Sequence, residues 1–161
     1  MKKLLGIAAA IALAALVASP AFAGTDTTTF NVKANVVPSC MFTAATDIDF
    51  GNLDVHTGVK QAQGSVSVQC TIGPVYTIGL DDGLNAVAGQ RQIKGGTADF
   101  IAYDLYQDAG TSVVWKNAAP DLLSLTGDGT VQTKTVYGVL NYSQIGVVES
   151  YLDVVTATVN F

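Results

Sequence analysis

The chain has 161 residues, is 49% hydrophobic and only 13% charged, and carries eight Lys+Arg against 13 Asp+Glu for a formal net charge of −5. That length sets one domain, or one with a short appendage. The acidic balance argues against a phosphate-backbone partner, the apolar content argues against disorder, and one His with two Cys is too thin a stock of reactive groups for an expected catalytic centre.

Met1-Lys2-Lys3 is a basic start to an apolar run from Leu4 to Val17, broken by Ser19-Pro20 and followed by the small-x-small pattern Ala21-Phe22-Ala23. The run is shorter than the ~20 residues a membrane span needs. It has the three regions of a secretory signal, so residues 1–23 are read as a signal peptide cleaved between Ala23 and Gly24. After that point period-two alternation dominates. Phe30, Val32, Ala34 and Val36 alternate with Asn31, Lys33 and Asn35, the pattern of a half-buried strand. Val37-Pro38 ends it, because proline lacks an N–H and holds its predecessor extended.

A second strand carries Cys40 and Phe42, after which Ile48 and Phe50 run into Gly51-Asn52. Val66, Val68 and Cys70 mark the next. Tyr76, Ile78 and Leu80 mark another, ended by the turn signal Asp81-Asp82-Gly83. Phe100 to Tyr106 keeps Ile101, Tyr103 and Leu105 on one parity, with Val113-Val114-Trp115 as a short hairpin partner across Asp108-Ala109-Gly110. Gly127-Asp128-Gly129 feeds a strand from Val131 to Leu140, and the chain closes on Asp153 to Phe161, where Val155, Ala157, Val159 and Phe161 share one face. Roughly seven or eight short strands with turns between them predict an all-β antiparallel sandwich. The first and last strands alternate most cleanly. Either they pair within one sandwich, or the first belongs in the sandwich of another molecule.

The two cysteines lie in the exported part, where an even pair most simply forms a disulfide. Closing a loop of about 31 residues contributes roughly 3 to 4 kcal/mol in the chain-entropy model. Zinc wants about four ligands, which Cys40, Cys70 and the lone His56 do not supply. His56 reads as a solvated loop residue. The pairs Asp47/Asp49 and Asp81/Asp82 read as turn chemistry, and Gly95-Gly96-Thr97 lacks the lysine of a phosphate loop. Asn141-Tyr142-Ser143 fits a glycosylation sequon, relevant only in a eukaryotic source. No enzyme activity, cofactor, metal, nucleic acid or small-molecule substrate is expected.

The order of these pieces resembles the spore coat protein U domain, whose best understood members are pilin subunits of archaic (Csu-type) chaperone–usher pili. The resemblance rests on the signal, Phe30-x-Val32-x-Ala34-x-Val36, Cys40, Ile48-Asp49-Phe50-Gly51 and Val66-x-Val68-x-Cys70. It continues through Tyr103-x-Leu105-Tyr106-x-Asp108, Val136-Tyr137-Gly138 and Val155-x-Ala157-x-Val159-x-Phe161. It implies an immunoglobulin-like sandwich encoded without its last strand, spanning residues 37–161, and completed by donor-strand exchange. Residues 24–36 would be the donor extension, with Phe30, Val32, Ala34 and Val36 filling a neighbour's groove. Val155, Ala157, Val159 and Phe161 would wall the receiving groove and form the edge that a periplasmic chaperone pairs with. The implied partners are that chaperone, an outer-membrane usher and other subunits, and the implied location is the cell surface, reached through the periplasm. Residues 24–161 leave no room for a receptor-binding domain, so a shaft or adaptor subunit is expected. The alternatives are a secreted coat protein of the same domain type that forms no pili, or a glycan-binding sandwich using exposed aromatics such as Trp115 and Tyr142.

Overall fold

The computed structural model describes residues 23–54, 56, 58–142 and 146–161. The signal-peptide reading over residues 1–22 and Ser143 of the sequon fall outside them. The chain divides into residues 1–34 and 35–161. Within the first unit, residues 23–34 form neither helix nor strand and are exposed throughout.

The second unit is all-β. Among the described residues its strands are β1 (Cys40–Thr46), β2 (Gly58–Cys70), β3 (Val75–Leu80), β4 (Arg91–Gly95), β5 (Phe100–Tyr106), β6 (Leu123–Thr126), β7 (Val131–Tyr142), β8 (Tyr151–Leu152) and β9 (Ala157–Asn160). They make a six-stranded sheet in the order β1-β2-β7-β5-β4-β8 and a three-stranded sheet in the order β6-β3-β9. Every pairing is antiparallel.

The core fills the space between the sheets. Val66, Val68 and Cys70 of β2, Ile101, Tyr103 and Leu105 of β5, and Val136 and Leu140 of β7 meet Tyr76, Ile78 and Leu80 of β3. These are the residues whose alternation marks the strands in the sequence. Trp115 joins them fully buried, which removes it from the glycan-binding alternative and places it in the core. Its Nε1 donates to the Ile78 carbonyl (2.9 Å) and its backbone N–H to the Leu105 carbonyl (2.8 Å), so it ties one sheet to the other. The expected hairpin strand around it reduces to a single bridge between Tyr106 and Val114.

Arg91 is also fully buried. Its Nε donates to the Asp81 carbonyl (2.9 Å), and its Nη2 to the carbonyls of Leu80 (2.9 Å), Asp81 (2.7 Å) and Trp115 (2.7 Å). A charged residue at an inward position interrupts the apolar alternation of β4, which is why that strand has no sequence signal. Leu123–Thr126 is too short to show one. The first half of β2, Gly58 to Gly64, is rich in glycine and glutamine, yet it is held by a register with β7 that runs unbroken from Gly58–Tyr142 to Gln69–Val131.

Glycines shape the side of the core below β1. A Cβ on Gly64 would lie 2.7 Å from Ile48 Cγ1, and one on Gly138 would lie 2.9 Å from Phe50 Cζ. Ile48 and Phe50, both half-buried, therefore cross the inner face of β2 and β7 where there is no side chain to block them.

The reading of Phe30–Val36 as a half-buried strand is not realised in this chain. No strand forms there, and Phe30, Val32 and Val36 are 85%, 87% and 83% exposed. An alternating segment buries its apolar face only when a sheet edge supplies ladder bonds. The final strand is shorter than the alternation from Asp153 predicts, beginning at Ala157.

Candidate functional site

Among the described residues, two of the four edge strands lie on the same side of the core with one side unpaired. β1 ends the six-stranded sheet and β9 ends the three-stranded one. They approach within 8 Å between Cα atoms without sharing ladder bonds. On β1, Phe42 stands opposite Val68 and faces inward. On β9, Ala157 stands opposite Leu80 and Val159 opposite Ile78. Val155, Ala157 and Val159 are half-buried against the core, while Phe161 is 59% exposed. An apolar strip flanked by unsatisfied N–H and C=O groups is a template for another strand.

Each edge is anchored from behind. Cys40, the first residue of β1, pairs directly opposite Cys70 of β2, and the two form the expected disulfide. The approach to β9 is held by Asp81, whose Oδ1 accepts the N–H groups of Thr156 (2.8 Å) and Gly83 (2.9 Å), and whose own N–H donates to the Thr156 carbonyl (3.0 Å). Asp153 adds a second tether. It accepts Tyr103 Oη at 2.7 Å and both the backbone N–H and the side-chain amide of Asn85, at 3.2 and 3.0 Å. Burial, followed by the bond to Asp153, pushes the Tyr103 phenol far above its ordinary pKa, so it stays a donor.

Burial alone would raise the Asp81 carboxyl, but the hydrogen bonds from Thr156 and Gly83 outweigh it and hold the group below the usual carboxylate range. A depressed folded-state pKa stabilises above the unfolded value and loses that contribution as pH falls through the folded one. Asp81→Ala is therefore expected to cost about 1 to 3 kcal/mol at pH 7. The gap from wild type should narrow below about pH 4, as read by urea denaturation at both pH values. A gap that widens on acidification would contradict this assignment.

The sequence places Asp81 in a turn and Asp153 at the start of the final strand, without revealing that they brace a sheet edge. Turn chemistry does describe Asp49, which accepts the Gly51 N–H, and Asp128, which accepts that of Thr130. Asp82 instead pairs with Lys116 at 2.6 Å. His56 lies in the loop before β2, its backbone N–H donating to Asp54. Ala23 and Gly24 are exposed, as are Phe30, Val32, Ala34 and Val36. Tyr142 ends β7, and its side chain lies outside what is described.

A sequence profile of the Spore Coat Protein U domain matches residues 26–158. Protein U of Myxococcus xanthus is 33% identical over 172 aligned positions, covering 96% of each chain. Among solved structures, the fold is similar to a chain in the crystal structure of the CsuC–CsuE chaperone–tip adhesion subunit pre-assembly complex from archaic chaperone-usher Csu pili of Acinetobacter baumannii. The TM-score is 0.60 at 23% identity, covering 78% of this chain and 40% of that one.

Proposed function

The chain belongs to the Spore Coat Protein U domain family, and from that premise we propose that it is a secreted, non-catalytic structural subunit of a surface fibre, polymerising by lending residues 24–36 to the groove of a neighbour. One juxtaposition carries the reading. A domain with two open edges beside an apolar strip sits in the same chain as an alternating segment that forms no strand and lies exposed.

The dimensions agree. Thr27 to Val36 spans about 33 Å when extended, enough to run the length of a sandwich. Burying Phe30, Val32 and Val36, with Ala34 between them, yields on the order of 5 to 10 kcal/mol before ordering costs. A strand bonded on both sides needs about 4.8 Å to each neighbour, or roughly 9.6 Å in all. Where β1 and β9 come within 8 Å, they must part to admit it. Before assembly, a periplasmic chaperone would cover the same strip, and an usher would pass the subunit outward. The likeness to a chain from a chaperone–subunit complex supports the fold this requires.

The test is export with a chaperone–usher pair, comparing the full chain with a deletion of residues 24–35. The full chain is expected to give detergent-resistant, heat-dissociable polymers, and the deletion only monomers. Equal polymerisation by the deletion would remove the donor assignment. A second reading is favoured by the full-length likeness to Protein U: a coat protein of the same domain deposited without thin fibres. Electron microscopy of the exported material separates the two.

A further inference from the structure

The outward face of the six-stranded sheet carries a second feature, away from the open edges. Tyr137 of β7 lies opposite Gln63 of β2 on one side and Tyr106 of β5 on the other. Its sequence neighbours Val136 and Gly138 sit in buried, inward positions, so the row Gln63–Tyr137–Tyr106 faces outward. The loop after β5 stands beside this row, and Gln61, Gln63, Tyr137, Ala109 and Thr111 line a concavity of about 260 Å³.

The loop wall is built rather than loose. The Asp108 carboxylate accepts the backbone N–H groups of Ser112 (3.1 Å) and Val113 (2.8 Å) and the Ser112 hydroxyl (2.9 Å). The Thr111 N–H donates to the Asp108 carbonyl at 3.0 Å. Thr111 is held at φ 53°, a left-handed conformation that costs energy for a β-branched residue and fixes which way the loop faces.

We propose that this concavity binds a neutral saccharide. None of its lining side chains is ionised at neutral pH. The amides of Gln61 and Gln63 both donate and accept, which matches sugar hydroxyls in either role. A tyrosine ring offers an apolar face for the C–H side of a pyranose together with a polar rim. Asp104 and Asp108 flank the row on β5 and its loop, and the chain is acidic overall at −5, so polyanionic glycans are disfavoured. The site differs from the one the sequence suggests for glycan binding, because Trp115 is in the core. It is also independent of strand exchange.

The secreted chain, in whatever assembly state it purifies, is titrated calorimetrically with maltoheptaose, cellopentaose and an oligogalacturonate. At least one neutral oligosaccharide is expected to bind with Kd below about 10 mM, more tightly than the anion. Tyr137→Ala should weaken it about tenfold and Gln63→Ala about threefold. Ile72→Ser, at an exposed position in the β2–β3 loop, should leave it unchanged. Deleting residues 24–35 should also leave binding intact, which separates failure here from failure of the assembly reading. Gln63 is exposed, so its variant tests the site even where Tyr137→Ala fails to fold. The proposal is overturned if neither neutral sugar binds, if Gln63→Ala binds within twofold of wild type, if Ile72→Ser weakens binding as much as Gln63→Ala does, or if the anion binds as tightly.

Discussion

Arg91→Ala is expected to remove about 3 to 5 kcal/mol of stability, a large part of what a single domain has. The guanidinium is fully buried and supplies four hydrogen bonds to carbonyls of three residues. Leu80 and Asp81 close β3, while Trp115 comes from the connection that bridges the sheets. Truncation leaves their carbonyls without these donors, each costing about 1 to 3 kcal/mol if water cannot reach it, and opens a cavity beside Leu80 and Trp115. Burial lowers the guanidinium's pKa, but arginine stays protonated across the working range. Arg91→Lys keeps the charge while losing the planar fork, and is expected to recover only part of the loss. Urea denaturation reads all three proteins, and a loss under 1 kcal/mol for the alanine variant would show that these bonds are replaceable by water.

The second large effect separates giving a strand from receiving one. Val32→Asp would place a carboxylate in the middle of the donor segment, and Val159→Asp would place one on the β9 face that lines the groove. Burying an unpaired carboxylate costs several kcal/mol, comparable to the whole gain expected from the segment. Each variant alone is expected to form no polymers. Mixed, they should form dimers and nothing longer, because the Val32 variant still offers an intact groove and the Val159 variant an intact donor. Size-exclusion chromatography with light scattering reads the outcome. Long polymers from either variant alone would assign the assembly contact elsewhere.

How far the sequence foretold the molecule depended on whether a residue's partner was local. β3, β5 and β7 were legible because each keeps apolar residues on one parity, facing a core on one side and water on the other. β4 was not, since its inward residue is Arg91, whose satisfaction comes from three carbonyls distant in sequence. The Gly58–Gly64 half of β2 was not, because glycine and glutamine carry no periodicity and its place is set by the ladder to β7. Cys40 and Cys70 were legible from parity and compartment alone. Phe30–Val36 showed the opposite failure: a clear strand pattern over residues that form no strand and lie exposed. The outer row of Gln63, Tyr137 and Tyr106 was invisible, because only register brings those residues together.

The disulfide also sets how the domain carries load. Residues 37–39 are all that separate the N-terminal segment from Cys40, and Cys40 is covalently joined to Cys70 at the end of β2. A pull on the segment thus bypasses the exposed edge strand and enters β2, which is held to β7 along nearly its full length. Tension directed along those strands acts on the whole ladder in shear, so its bonds resist together. Without the covalent link the same pull would rest on the ladder between β1 and β2, which is half as long as that between β2 and β7. The cross-link works as a mechanical shunt, moving force from an edge strand of the sheet to its longest paired ladder.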